Sequence, residues 1–304
     1  MERILVLRGG ALGDFLVTLP AIRAVRERWP QAEVECLGQG RFAELGVGRG
    51  YFSAARSLER GSLAGFFVEE SVLDPDWIDT FSEFDLVVSW LYDPRDVFHR
   101  NLARCGVPEI VRGDPRVPEG FGAPAARHFL AALPWPTEDA DPLGRLALTE
   151  ADRAAAAQFD LEEPFLVLHP GSGSPAKNWP LDRWAALLEN LKATGHRSVV
   201  VGGEADRAAL DRLRPLAPVV LHDRPLPELA AVLARAALFV GHDSGITHLA
   251  AAVVTPGIAL FGPTDPQVWA PSGATVLAGG EDWSGFSVAD VMAAIADSLL
   301  DRRP

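Results

Sequence analysis

The sequence predicts an α/β protein made of two doubly wound, Rossmann-like parallel-sheet domains. Three observations carry that expectation. Short apolar runs suit strands buried on both faces, helical patterns alternate with them, and a stretch rich in Pro and acidic residues at 113–149 interrupts the alternation. The length of 304 residues agrees, since a domain typically holds about 100–150. The expected boundaries are residues 1–150, 151–286 and a final segment 287–304.

In the first half, Ile4–Leu7 reads as a buried strand and Gly9-Gly10-Ala11-Leu12-Gly13 as a turn into a helix from about Asp14 to Trp29. Phe15, Leu19, Ile22 and Val25 recur there at helical spacing, opposite Arg23, Arg26, Glu27 and Arg28. Pro20 should kink this helix, because it has no N–H to bond back to Leu16. Val34–Leu37 and Leu86–Trp90 are further strands, with an irregular region from Gly38 to Glu83. The Pro-rich stretch reads as a linker.

Beyond it the rhythm is clearer. Phe165–His169, Ser198–Val201, Val219–Leu221, Leu238–Gly241 and Ile258–Phe261 read as strands. Leu181–Thr194, Ala205–Leu213, Glu228–Ala237, Gly245–Val254 and Val288–Leu300 read as helices.

Composition removes several functions. Lys+Arg 28 against Asp+Glu 41 gives a net charge of -13, which disfavours general binding to nucleic acid or anionic lipid. Any phosphate must be held by a local device. Two cysteines, Cys36 and Cys105, form neither a metal motif nor a disulfide framework, so a reducing, cytoplasmic setting is expected. The opening residues read as a strand and not as a signal peptide, and no apolar run is long enough to span a bilayer.

Three strand-loop-helix junctions carry possible chemistry. At the first, Gly10 and Gly13 bracket a turn whose helix begins with Asp14. A dinucleotide fingerprint fails here, because its first glycine position holds Arg8. Asp14 either caps the helix or serves as a general base that accepts a proton late in a displacement. The second, His169 to Pro180, combines Gly171, Ser172, Gly173 and Ser174 with Lys177. Small residues let backbone amides approach an anion, and Lys177 is one of only two lysines in the chain. It is either a solvated loop lysine or a phosphate ligand; the Gly-Lys-Ser/Thr ending of a P-loop is absent. The third, His242-Asp243-Ser244-Gly245-Ile246-Thr247-His248, offers an acid for sugar hydroxyls and a helix start for a diphosphate. Its His and Asp spacing matches no common zinc pattern, so no metal is expected. Together the junctions suit group transfer from a nucleoside diphosphate across an interdomain cleft.

These segments resemble glycosyltransferase family 9, the lipopolysaccharide heptosyltransferases. The likeness runs from Leu7–Ala21 through His169–Pro180 to His242–Leu249 and Gly262-Pro263-Thr264-Asp265-Pro266. It implies a GT-B fold, with the two domains facing across a cleft and the last helix returning to the first domain. It implies metal-independent, inverting transfer of a sugar, usually heptose from an ADP-sugar, to a lipopolysaccharide inner-core or similar glycan acceptor, with no cofactor. By position, Asp14 is the catalytic base beside Gly13. Gly171, Ser172, Gly173, Ser174 and Lys177 hold phosphate, and Asp243, Ser244, Gly245 and His248 bind donor. Asp206 falls near the donor ribose, with Glu204 as an alternative. The chain is expected to be a monomer in the cytoplasm, in peripheral contact with the inner membrane. Arg41, Arg56 and Arg60 are the basic residues available for a phosphorylated acceptor. Two rivals stay open: a nucleotide-sugar epimerase, which needs no acceptor, and a non-catalytic nucleotide-sugar-binding protein, for which donor hydrolysis would be absent.

Overall fold

The structure is a computed structural model that describes residues 1–300. It divides into two compact units, one from Met1 to Ala147 and one from Leu148 onward.

The first unit holds β1 (Arg3–Arg8), β2 (Glu33–Gly38), β3 (Ala54–Ser57), β4 (Leu86–Trp90) and β5 (Glu109–Arg112), all parallel, in the order β3-β2-β1-β4-β5. The winding reverses between β1 and β4, and such a switch point opens a crevice at the carboxyl ends of the strands. The helix Leu12–Arg28 continues through Pro20 and is buried on nearly every side of its first four turns. One contact sits at the proline: a Cβ on Gly144 would lie 3.2 Å from both the Leu16 carbonyl and Pro20 Cδ. A buried hydrophobic cluster that includes Leu5, Leu7, Phe66, Phe81, Phe98 and Leu102 packs against this sheet.

Residues 113–149 are not the expected linker. Phe129 and Leu130, on the helix Ala125–Leu130, are buried, and Tyr51 donates a 2.9 Å hydrogen bond to the Arg145 carbonyl. Up to Ala147 this stretch belongs to the first unit. Its prolines shape a covering segment, and composition alone does not separate that from a spacer.

The second unit holds β6 (Phe165–His169), β7 (Arg197–Gly202), β8 (Val219–His222), β9 (Leu238–His242), β10 (Gly257–Phe261) and β11 (Thr275–Ala278), parallel in the order β11-β10-β9-β6-β7-β8. Here the switch point lies between β6 and β9. Leu166, Leu168, Val240, Ile258 and Leu260 from the strands pack with Trp184, Leu187 and Leu191 of the helix Leu181–Ala193. The helix Val288–Leu300 places Val291 and Ile295 in this same core. Residues 301–304 of the final segment lie outside those described.

Cys36 and Cys105 are free and buried, and burial pushes both thiols up, away from reactivity. Phe239, fully buried on central β9, anchors the second sheet. Phe239→Ala should therefore cost about 3–5 kcal/mol in urea unfolding; a loss below about 1 kcal/mol would show that the core closes over the cavity.

Candidate functional site

In the first unit the turn after β1 is shaped around one carboxylate. Gly10 has φ +94°, and a Cβ there would meet Asp14 Oδ2 at 2.7 Å, so only glycine fits without displacing the acid. Asp14 Oδ2 accepts from the Ala11 amide at 2.9 Å, which closes the helix start. Gly13, in the first helical turn, precedes it.

Beneath Asp14 lies Arg8, only 3% exposed at the end of β1. Its guanidinium donates to Thr18 Oγ1 at 2.8 Å and to the Asp14 carbonyl at 3.0 Å, and stacks 4.9 Å from the Phe129 ring centroid. The same group stands 3.8 Å from Asp14 Oδ1. Burial pushes Arg8 down to about 10, against the pull of the Asp14 charge, so it stays cationic at neutral pH. Asp14 is thus held from below by a buried cation while 39% of its side chain reaches solvent.

In the second unit the junctions after β6 and β9 converge. Asp243 is buried, and its Oδ2 accepts from Lys177 Nζ at 2.7 Å. Ser244 caps the helix Gly245–Ala252 by accepting from the Thr247 amide, so the first-turn amides open onto the carboxyl edge of the sheet. Gly245 begins that helix, and His248, half-buried, sits one turn into it. Ser172 Oγ accepts from the Ser174 amide at 3.2 Å. It also lies 2.7 Å from both the Ser174 carbonyl and Asn178 Oδ1, and its single proton serves one of them. Gly173 faces open space, whereas a Cβ on Gly171 would fall 1.8 Å from Asp206 Oδ1.

Asp206 is accordingly turned inward. Its Oδ2 accepts from the Gly203 amide at 2.8 Å and lies 3.3 Å from His169 Nε2, while His169 Nδ1 lies 3.3 Å from Ser244 Oγ. Burial alone would raise the Asp206 carboxyl, but the His169 hydrogen bond and charge and the Gly203 amide together hold it below the usual carboxylate range. Glu204, on the same turn, is exposed.

Sequence reasoning missed the residue that ties the loop down. His242 is fully buried, and its Nε2 accepts from the Trp179 amide at 2.8 Å and from Trp184 Nε1 at 3.3 Å. Two donors at Nε2 assign the proton to Nδ1, which donates to the Gly171 carbonyl at 3.2 Å. One imidazole therefore fastens both ends of the segment that carries Ser172, Ser174 and Lys177. Burial pushes His242 down to about 3. Arg8 was also missed, although a lone charge ending an apolar strand was a usable signal. Of the acceptor candidates, Arg56 is already paired with buried Glu35 at 3.0 Å, while Arg41 and Arg60 are exposed.

One set of described residues, Asp93, Asp96 and His99, is close enough to share a cation. All three are otherwise engaged. Asp93 accepts from the Val97 and His99 amides, Asp96 pairs with Arg112, and His99 Nε2 lies 2.8 Å from Ser89 Oγ.

The His242 arrangement fixes a pH dependence. Because the folded state keeps this imidazole neutral, its stabilisation is complete above the unfolded value of 6.5 and drains as pH falls toward 3. In urea unfolding, the wild type should lose up to about 1.4 kcal/mol per pH unit across that window beyond what His242→Gln loses. Parallel slopes for the two proteins would contradict the assignment.

Comparison with known proteins identifies the family and the fold. The profile of glycosyltransferase family 9 (heptosyltransferase) matches residues 125–282, just over half of the chain. Over 292 residues the chain is 28% identical to lipopolysaccharide heptosyltransferase 1 of Pseudomonas aeruginosa, covering 87% of this chain and 79% of that protein. Over 133 residues it is 31% identical to lipopolysaccharide heptosyltransferase 3 of Escherichia coli K12, covering 41% of this chain and only 38% of that relative. The structure of E. coli ADP-heptose lps heptosyltransferase II superposes with a TM-score of 0.78 at 20% identity, covering 99% of both chains, which gives the two parallel-sheet units the GT-B fold. The chain belongs to glycosyltransferase family 9, the heptosyltransferases.

Proposed function

We propose that the protein transfers heptose from ADP-heptose to a lipopolysaccharide inner-core acceptor, with inversion at the anomeric carbon and without a metal. The observation that carries this reading is the convergence of Lys177, the Gly171–Ser174 loop and the first turn of helix Gly245–Ala252 on the ends of β6 and β9. An ammonium and a helix start together suit a diphosphate. The names of the relatives supply the sugar and the acceptor.

In this mechanism the acceptor hydroxyl attacks the anomeric carbon as the bond to the diphosphate breaks. Asp14 takes the hydroxyl proton while the new bond forms, a task its exposed carboxylate suits. A single displacement with one base gives inversion. Lys177 and the loop amides stabilise the charge on the departing ADP, the work a divalent cation does in other transferases. Asp243 and His248 meet the sugar. Asp206 acts from behind by fixing His169, and exposed Glu204 is the carboxylate that meets the ribose. Arg41 and Arg60 receive the acceptor's phosphate.

No helix among the described residues is long and apolar enough to cross a membrane. We place the protein in the cytoplasm as a monomer, meeting its lipid-linked acceptor at the membrane surface.

Asp14→Ala should keep ADP-heptose binding and lower turnover by about 10²–10⁴; wild-type turnover would remove Asp14 from its role. Lys177→Ala should weaken donor binding and cost about 10²–10³ in kcat. Transfer measured in excess chelator should equal that without it, and its loss would overturn the metal-free step.

A further inference from the structure

Lys177 and Asp243 are assigned different parts of the donor, yet they hold each other at 2.7 Å. We infer that this ion pair is a charge exchanger that distinguishes the intact donor from the ADP left after transfer. The inference rests on the donor reading above.

The two partners differ in mobility. Asp243 is fixed between His242, held by its three hydrogen bonds, and Ser244, which caps a helix. Its side chain is 7% exposed, whereas that of Lys177 is 33% exposed on a flexible stem. The pair therefore opens by movement of the lysine. The neighbouring carboxylate, Asp206, is committed to His169 and the Gly203 amide, and among the described residues Lys177 makes an ion pair only with Asp243.

An arriving diphosphate draws Lys177 away and would leave Asp243 as a buried, unpaired carboxylate, an unfavourable state. The intact donor corrects this, because its sugar hydroxyls donate to Asp243 where the ammonium had been. ADP has lost the heptosyl hydroxyls, and its ribose hydroxyls meet Glu204 in that reading. After transfer Asp243 loses them, reclaims Lys177, and the diphosphate loses its strongest side-chain partner. The pair thus favours donor over product and hastens release of ADP.

Calorimetric titration of the full chain with ADP, and with ADP-heptose in the absence of acceptor, tests this. The wild type should bind ADP-heptose more tightly than ADP. Asp243→Asn should bind ADP about tenfold more tightly than the wild type, the worth of one charge-assisted hydrogen bond, and should lose most of its preference for the sugar-bearing donor. In a Lys177→Met background the same Asp243→Asn change should leave ADP affinity unmoved. Asp243→Glu, which keeps the charge, should show no tightening. Unchanged ADP affinity in Asp243→Asn overturns the exchange while leaving the donor reading intact. So does tightening of full size in the Lys177→Met background, which would mean simple relief of repulsion. Failure of the wild type to bind either nucleotide would instead remove the donor reading itself, and the exchange with it.

Discussion

An uncharged histidine under the carboxyl edge of the second sheet is the constraint on which the proposed donor site depends. His242 receives the Trp179 amide and the Trp184 indole at one nitrogen and gives its proton to the Gly171 carbonyl at the other. Accepting at Nε2 requires the neutral ring, and burial supplies it. The loop between those anchors is too small-sided to pack itself, so its shape is borrowed from the strand that follows the switch point. Because His242 precedes Asp243 in the chain, the same fixing sets where Lys177 and Asp243 meet.

The first unit solves a parallel problem with a charge instead of a neutral ring. Arg8 is buried beside Asp14 and Thr18, and its guanidinium satisfies the Asp14 carbonyl as well as flanking the carboxylate. Gly10 then permits the close approach of the acid to the turn. A chain with a net charge of -13 has no general attraction for a nucleotide or a phosphorylated lipid. In the proposed site it compensates locally, with a single lysine and helix-start amides at one junction, while its carboxylates are held by His169, Lys177 and Arg8.

Much of the fold is legible in the residues. Leu86–Trp90, Phe165–His169 and Val288–Leu300 are read with their observed bounds, because central parallel strands and a long amphipathic helix carry continuous patterns. β3, β5 and β11 escape because they lie at sheet edges, are partly exposed and carry at most three consecutive apolar residues. The 113–147 segment escapes because proline content reads the same in a spacer and in a covering segment. The junctions that bring the candidate Gly, Ser, Lys and Asp residues to the carboxyl edge are legible, since each follows a strand read from its apolar run. What is not legible is which of them hold each other. The Lys177–Asp243 pair joins residues far apart in sequence, and the inward turn of Asp206 depends on the absence of a Cβ at Gly171.

In the proposed donor complex, a diphosphate is gripped at the ends of β6 and β9 by a loop that His242 holds in place. A crystal structure of the full chain with bound ADP-heptose tests it most directly. Diphosphate oxygens should lie at about 2.7–3.2 Å from Lys177 Nζ and from the first-turn amides of helix Gly245–Ala252, with Lys177 withdrawn from Asp243. A nucleotide seated at any other edge of the sheet, with that ion pair still closed, would contradict it.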